Sequence, residues 1–108
     1  MKGDRLGEFE ELTLLAIGTL DGTAYGVPVQ QCLEQTAKRN VTLGAVYAAL
    51  DRLEQKGFVR STLADPTPER GGKRKRLYAV TPAGMRVLRD LRGVREAMWR
   101  ALEARSRS

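Results

Sequence analysis

One stretch near the middle of the chain, residues 42–57, is amphipathic in a way that restricts the folds open to it. Apolar residues recur there at spacings of three and four, which predicts a helix with one apolar stripe. Thr42 is a good N-cap and Gly57 a good stop, so we expect this helix over residues 42–56. The stripe consists of Leu43, Val46, Leu50 and Leu53. The opposite face, small and smooth near the helix start, consists of Gly44, Ala45, Ala48, Asp51, Arg52 and Gln55.

Two more helices are predicted before this one. The first covers residues 7–20, begins with acidic residues that suit the helix dipole, and ends before Gly22. It is apolar on more than one side, which indicates two packing partners. The second runs from residues 23–25 to about residue 39, with Pro28 in or near its first turn.

A hairpin and a long helix are predicted to follow. Strands are expected over residues 58–63 and 76–80, joined by a turn-rich loop that ends in a basic run at residues 73–76. Thr81 and Pro82 then start a fourth helix that extends to about residue 104, beyond which we expect fraying. Its apolar residues follow a short heptad pattern. They are Val87, Leu91, Val94, Met98 and Ala101, broadened by Leu88 and Leu102.

Composition excludes several classes of function. The 108 residues include no histidine and one cysteine, Cys32, which excludes histidine-dependent triads, the usual zinc sites and an internal disulfide. We expect no metal, no cofactor and no catalysis. No apolar run is long enough to cross a bilayer and no signal-peptide core follows the N-terminus, so we expect a cytoplasmic protein. The net charge of +6 favours a polyanionic partner, most often nucleic acid.

The order of these elements predicts a mainly α fold with a small β-hairpin. The second and third helices form a helix-turn-helix whose smooth surface can approach base edges, and the hairpin forms a wing. The wing would contact the DNA backbone or the minor groove. We expect residues 1–81 to form this winged domain and residues 82–108 to form a helix that mediates dimerisation. The alternative from pattern alone is a small α+β domain with one exposed basic loop.

Several segments resemble the PadR-type transcriptional regulators. They are Tyr25-Gly26, VTLGAVYAALDRLEQKG at residues 41–57, KRLYAVT at residues 75–81 and PAG at residues 82–84. The resemblance covers about residues 12–88, and the single C-terminal helix is similar to the short subclass. It implies a bacterial, dimeric winged-helix repressor, often controlled by a small molecule. The chain departs from the usual pattern at Val27-Pro28, where a second aromatic is common, and at residues 45–48, where Thr-Leu-Tyr-Pro is more usual.

The candidate DNA contacts fall on the helix-turn-helix and on the wing. Tyr47 and Tyr25 could reach phosphates or could be packing aromatics, and Thr42 could cap its helix and bind a phosphate. Arg52 could touch DNA, or could be a surface arginine paired with Asp51, with Glu54 or with neither. The full set is Tyr25, Thr42, Gly44, Ala45, Tyr47, Ala48, Arg52, Lys73, Arg74, Lys75 and Arg76.

Dimerisation and effector binding are predicted on the other side of the domain. The dimer is expected through the fourth helix, assisted by the first, with Phe9, Leu12, Val87, Leu91, Val94, Met98 and Leu102 as its residues. Trp99 lies beside this seam, and a planar aromatic effector could stack there with Met98 and Phe9. The plainer alternative is that Trp99 packs on the partner's first helix.

We therefore expect a homodimeric repressor that binds a palindromic operator in double-stranded DNA. The main alternative is an RNA-binding or ribosome-associated winged helix, which would not require a palindrome. A protein–protein adaptor is disfavoured by the basic run at residues 70–76. An enzyme is the weakest alternative, because the sequence has no nucleophile–base pair.

Overall fold

The computed structural model describes residues 5–64 and 75–107, and it has the predicted order of elements. The winged helix-turn-helix with a long C-terminal helix is thereby confirmed. No helix in the described residues is long and apolar enough to span a membrane. The elements are α1 (Glu8–Thr19), α2 (Gly26–Thr36), α3 (Leu43–Gln55), β1 (Val59–Leu63), β2 (Arg76–Val80) and α4 (Pro82–Arg107).

Two helix ends differ from the prediction. Helix α2 ends at Thr36 and not near residue 39, because Lys38 adopts a left-handed backbone with φ of 56°. Helix α4 continues to Arg107, so the expectation of a frayed end after residue 104 is wrong for residues 105–107. No proline or glycine interrupts this last stretch, and Ser106 Oγ donates a hydrogen bond to the Leu102 carbonyl within the helix.

The hydrophobic core lies where α1, α2, α3 and the hairpin meet. Helices α1, α2 and α3 contact one another pairwise, and α4 contacts α1 and β2 through its first half. The predicted stripe of α3 supplies much of this core, since Val46, Leu50 and Leu53 have no exposed surface. Other large apolar side chains that are fully buried are Leu14, Ile17, Val29 and Leu33.

Capping and backbone hydrogen bonds fix how the hairpin and α4 join the helices. Strands β1 and β2 are antiparallel, with Val59 opposite Val80. The Tyr78 N–H donates to the Ala24 carbonyl at 2.8 Å, which places the middle of β2 beside the residues that precede α2. Thr81 Oγ1 donates to the Gly57 carbonyl and accepts from the Gly84 N–H, so the predicted cap of α4 also ties it to the end of α3.

A buried carboxylate joins α1 to α3. Glu10 accepts hydrogen bonds from Lys56 Nζ at 2.8 Å and from Arg52 Nε at 2.8 Å, and from the Gly7 N–H at 2.9 Å. Burial alone would raise the pKa of this carboxyl group. The hydrogen bonds from Lys56, Gly7 and Arg52 outweigh burial and lower its pKa from 4.5 to about 2. The carboxylate therefore stays ionised well below neutral pH.

The Glu10→Gln variant should be less stable than the wild type by about 3 kcal/mol at pH 7, because a lowered carboxyl pKa stabilises the folded state. The folded-state pKa lies below the unfolded value, so this contribution is complete above about pH 4.5 and is lost as pH falls towards 2. At pH 3 about half of it should remain. Urea unfolding followed by circular dichroism at pH 7 and pH 3 measures both differences. A difference between variant and wild type that does not change with pH would contradict the assignment.

Candidate nucleic-acid interface

The N-terminal half of α3 presents the smooth surface that the sequence predicts. Gly44, Ala45 and Ala48 are exposed, and a carbon added at Gly44 would meet nothing closer than Thr42 Oγ1 at 4.0 Å. Thr42 caps the helix, since its Oγ1 accepts from the Ala45 N–H at 3.0 Å. This bond uses an acceptor lone pair and leaves the hydroxyl proton available to a phosphate oxygen. Among the described residues, the exposed side chains at this end of α3 are therefore small enough to let the helix approach a DNA groove closely.

Tyr47 lies between α3 and the start of α2. Its side chain is 45% exposed, yet its ring packs on the backbone of Gly26. A carbon added at Gly26 would lie 2.5 Å from Tyr47 Oη, so this position has room for glycine alone unless the ring moves. The ring therefore packs against the start of α2 and leaves part of its surface facing solvent. Packing is observed here, and a phosphate contact stays a prediction.

Tyr25 and Lys75 meet at the junction of α2 and the wing. Lys75 Nζ lies 4.3 Å from the centroid of the Tyr25 ring and donates to Tyr25 Oη at 3.1 Å. This is a cation–π contact with a hydrogen bond at its end. Tyr25 is the N-cap of α2, and the bond from Lys75 shows that its hydroxyl faces the wing.

Among the other predicted wing contacts, Arg76 is the one that lies in the described residues. Arg76 Nη1 donates to Ser61 Oγ at 2.9 Å, and Ser61 Oγ donates to Glu54 Oε2 at 2.7 Å. Arg76 is therefore linked through Ser61 to the end of α3. Lys73 and Arg74, which the sequence also predicts as DNA contacts, lie outside the described residues.

Arg52 lies on the flank of α3 nearest to α1. Its ion-pair partner is Glu10 of α1, and neither Asp51 nor Glu54 pairs with it. The side chain is still 49% exposed. Sequence reasoning missed this partner, because Glu10 is one of three carboxylates in the first turn of α1 that all suit the helix dipole equally well. It also missed Arg60, an exposed cation on β1 opposite Ala79.

The predicted dimerisation residues fall into two sets. Phe9, Leu12 and Val87 are half-buried and pack on the chain's own core. The sequence pattern places Val87 and Leu91 in the dimer seam, but both are half-buried within a single chain, because the first half of α4 packs on α1 and β2. The outer half of α4 is different, since Val94, Met98 and Leu102 are each more than half exposed.

Trp99 lines two open grooves on this side of the chain. One, of about 370 Å³, is formed with Arg95, Met98 and Leu102 along α4. The other, of about 350 Å³, lies between α1 and α4, with Leu15 and Met85 among its walls. Within one chain Phe9 lies elsewhere, beside Arg39 near the start of α3, with 5.9 Å between the guanidinium carbon and the ring centroid.

Comparison with known proteins identifies the family. The model of the transcriptional regulator PadR-like family matches residues 14–90, from the middle of α1 into α4. The chain belongs to the PadR-like family of transcriptional regulators. This match confirms the resemblance seen in the sequence, and it assigns the chain to a family of regulators and not to a class of enzymes.

Several individual proteins are similar to this chain in fold or in sequence. A PadR-like transcription factor from Bacteroides fragilis has 25% sequence identity and a TM-score of 0.67, over 89% of this chain and 84% of that one. Bacillus subtilis PadR in complex with operator DNA has the same fold, with 16% identity and a TM-score of 0.65, over 81% of this chain and 48% of that one. An uncharacterized 37.1 kDa protein in transposon TN4556 of Streptomyces fradiae is 34% identical over 84 residues, which are 78% of this chain and 22% of that protein. The chain thus spans about a fifth of that relative.

Gly26→Ala should lower the free energy of unfolding by about 1 kcal/mol, because the new methyl group overlaps the Tyr47 ring and the half-exposed ring must move. Gly44→Ala is the matched control and should raise stability by about 0.5–1 kcal/mol, since its methyl group meets open space in a helix. In a Tyr47→Ala background the cost of Gly26→Ala should largely disappear. Chemical denaturation of the four variants measures these differences. An equal cost with and without the tyrosine ring would show that the contact is unimportant.

Proposed function

We propose that this chain represses transcription by binding a palindromic operator in double-stranded DNA as a homodimer. The observation that carries the proposal is the exposed, smooth start of α3, with Tyr47 on one flank and the Tyr25–Lys75 pair beside it. A helix of this kind can enter the major groove of DNA, where the exposed edges of the base pairs differ from one sequence to another. The DNA-bound Bacillus subtilis PadR shares the fold and supports the proposal.

Each side chain at this surface has a separate proposed role. Gly44, Ala45 and Ala48 let α3 approach the bases closely. Tyr25, Thr42 and Tyr47 donate hydroxyl protons to phosphates, which fixes the register of the helix on the duplex. The cations proposed for the backbone are Arg52, Lys73, Arg74, Lys75 and Arg76. In this division, residues 1–81 read DNA and residues 82–108 hold two chains together.

The dimer is proposed to form through the outer half of α4. This half projects beyond the core, so Val94, Met98 and Leu102 lie exposed on one side of it. A monomer would leave this apolar strip in water, whereas a second copy of α4 would cover it. Phe9, Leu12, Val87 and Leu91 would support the interface from the base of α4 and from α1. A symmetric dimer then requires half-sites about one helical turn, or ~34 Å, apart.

The salt dependence of DNA binding is the first test. Affinity for a duplex selected from a random-sequence pool should fall with salt with a log–log slope of about −0.9 per phosphate contact. Replacing Lys73, Arg74 and Lys75 by alanine should weaken binding to all duplexes similarly and flatten this slope. The matched control replaces Arg86, Arg100 and Arg105, three exposed arginines of α4, and should leave the slope unchanged. Fluorescence anisotropy measures both. If the wing variant keeps the wild-type slope, the wing does not contact DNA.

The assembly is tested on α4. Met98→Glu should give a monomer with unchanged helix content, because Met98 is 69% exposed in one chain and its replacement disturbs no core. Ala97→Glu adds the same charge at a position about 100° around the helix and should remain a dimer. Light scattering at micromolar concentration separates the two. A monomeric wild type, or two variants that behave alike, would count against this interface.

A planar aromatic effector is proposed to bind at Trp99, near Met98 and, across the dimer, near Phe9. The two grooves that Trp99 lines support this proposal. An effector releases the operator if it binds better to a conformation with a different separation of the two α3 helices. Because Trp99 is the single tryptophan, its fluorescence should be quenched saturably by planar aromatic compounds, and those compounds should weaken DNA binding. Quenching without any change in DNA affinity would reduce the site to nonspecific binding.

A further inference from the structure

The contact with Glu10 fixes one edge of the Arg52 guanidinium group, the Nε edge, and leaves the edge with the two Nη nitrogens free. Arg52 Nε donates to Glu10 Oε2 at 2.8 Å, and the carboxylate is almost completely buried. The two Nη nitrogens form no hydrogen bond with any described residue, and the side chain is about half exposed. A guanidinium group is planar and rigid, so fixing its Nε edge also fixes the direction of its outer edge.

The carboxylate itself is held from the other side. Its second oxygen, Oε1, accepts from Lys56 Nζ and from the Gly7 N–H, so Glu10 cannot turn away from Arg52 without losing both bonds. Lys56 Nζ also donates to the Arg5 carbonyl. The burial of Glu10 makes these bonds costly to break. The arginine is therefore attached to a fixed point on α1 and not to a mobile surface acid.

Arg52 also lies on the side of α3 that the proposed DNA surface uses. It follows Ala45 by seven residues, which is about two helical turns, so both residues lie on the same side of the helix. Ala45 is exposed at the N-terminal half of α3. The free edge of the guanidinium thus extends the smooth surface along the flank of α3 with a cationic group.

We propose that Glu10 is a positioning residue that aims the outer edge of Arg52 at a phosphate of the bound duplex. This rests on the proposed function, and it assigns a role in DNA binding to a residue of α1 that does not touch DNA. The opposite role, in which Glu10 withdraws Arg52 from DNA, would call for a buried guanidinium whose outer nitrogens also bond the carboxylate. Arg52 has neither feature.

The test is a double-mutant cycle on the selected duplex. Arg52→Gln should weaken binding about tenfold and make the salt slope less steep by about 0.9, the loss of one phosphate contact. Glu10→Gln should also weaken binding several-fold in the wild-type background. In the Arg52→Gln background it should have no further effect, since there is no guanidinium left to position. Anisotropy is measured well below each variant's unfolding temperature.

Glu8→Gln is the matched control. It removes one carboxylate from the same turn of α1, but Glu8 is 71% exposed and pairs with Arg39. On charge alone both substitutions raise the net positive charge and should strengthen DNA binding slightly. Glu8→Gln should therefore bind as tightly as the wild type or slightly more tightly, whereas Glu10→Gln should bind more weakly. Equal effects of the two would overturn the proposal.

Arg52→Lys is a second variant that tests the proposal even if Glu10→Gln does not fold. Lysine preserves the charge but has no Nε–H with which to be held at one edge, so its affinity should fall nearly as far as that of Arg52→Gln. Wild-type affinity in Arg52→Lys, or a Glu10→Gln effect that persists without Arg52, would overturn the positioning role while DNA binding itself stands. If the wild type selects no duplex, the proposed function fails, and this inference falls with it.

Discussion

The first turn of α1 is the point through which the other helices are tied together. Its three carboxylates reach cations from different parts of the chain. Glu8 pairs with Arg39 after α2, Glu10 with Arg52 of α3 and with Lys56 at the C-cap of α3, and Glu11 with Arg95 of α4. The three pairs differ in energy because they differ in burial. Glu8 is exposed, so its pair contributes little, whereas Glu10 is buried and accepts three hydrogen bonds. The geometry of α3 relative to α1 therefore depends most on Glu10.

A second constraint sets how α2 meets α3. Gly26 lets the Tyr47 ring lie against the backbone at the start of α2, and the neighbouring Tyr25 then faces Lys75 at the wing. The backbone bond from Tyr78 to Ala24 fixes the same junction from the side of the hairpin. Tyr47, Tyr25 and Lys75, three groups proposed to contact DNA, thus meet around the start of α2.

Helices and strands could be predicted from the sequence better than the ion-pair partners of individual side chains. The stripe of α3, the cap at Thr42 and the stop at Gly57 are local features whose consequences lie within a few residues. The partners of Glu10 are 42 and 46 residues away, and no local pattern distinguishes this carboxylate from Glu8 or Glu11. Helix α2 ends early because Lys38 adopts a left-handed backbone conformation. This conformation is more usual for glycine or asparagine, so the lysine gives no sequence signal for a helix end. Which apolar residues of α4 are exposed depends on which half of the helix packs on the core. The spacing of apolar residues in the sequence does not identify that half.

The distribution of charge locates the DNA surface more sharply than the net charge of +6. Arg39, Lys56 and Arg95 form ion pairs with carboxylates of α1, which weakens their attraction for phosphate. Arg86, Arg89 and Arg100 of α4 form no ion pair with any described residue, but they lie on the helix proposed for dimerisation. Outside α4, the cations that form no ion pair with any described residue are Arg5, Lys38, Arg60, Lys75 and Arg76, and Arg52 keeps its outer edge free. The number of phosphate contacts per chain is therefore smaller than the 19 basic residues suggest, and the salt slope, unlike the net charge, measures that number.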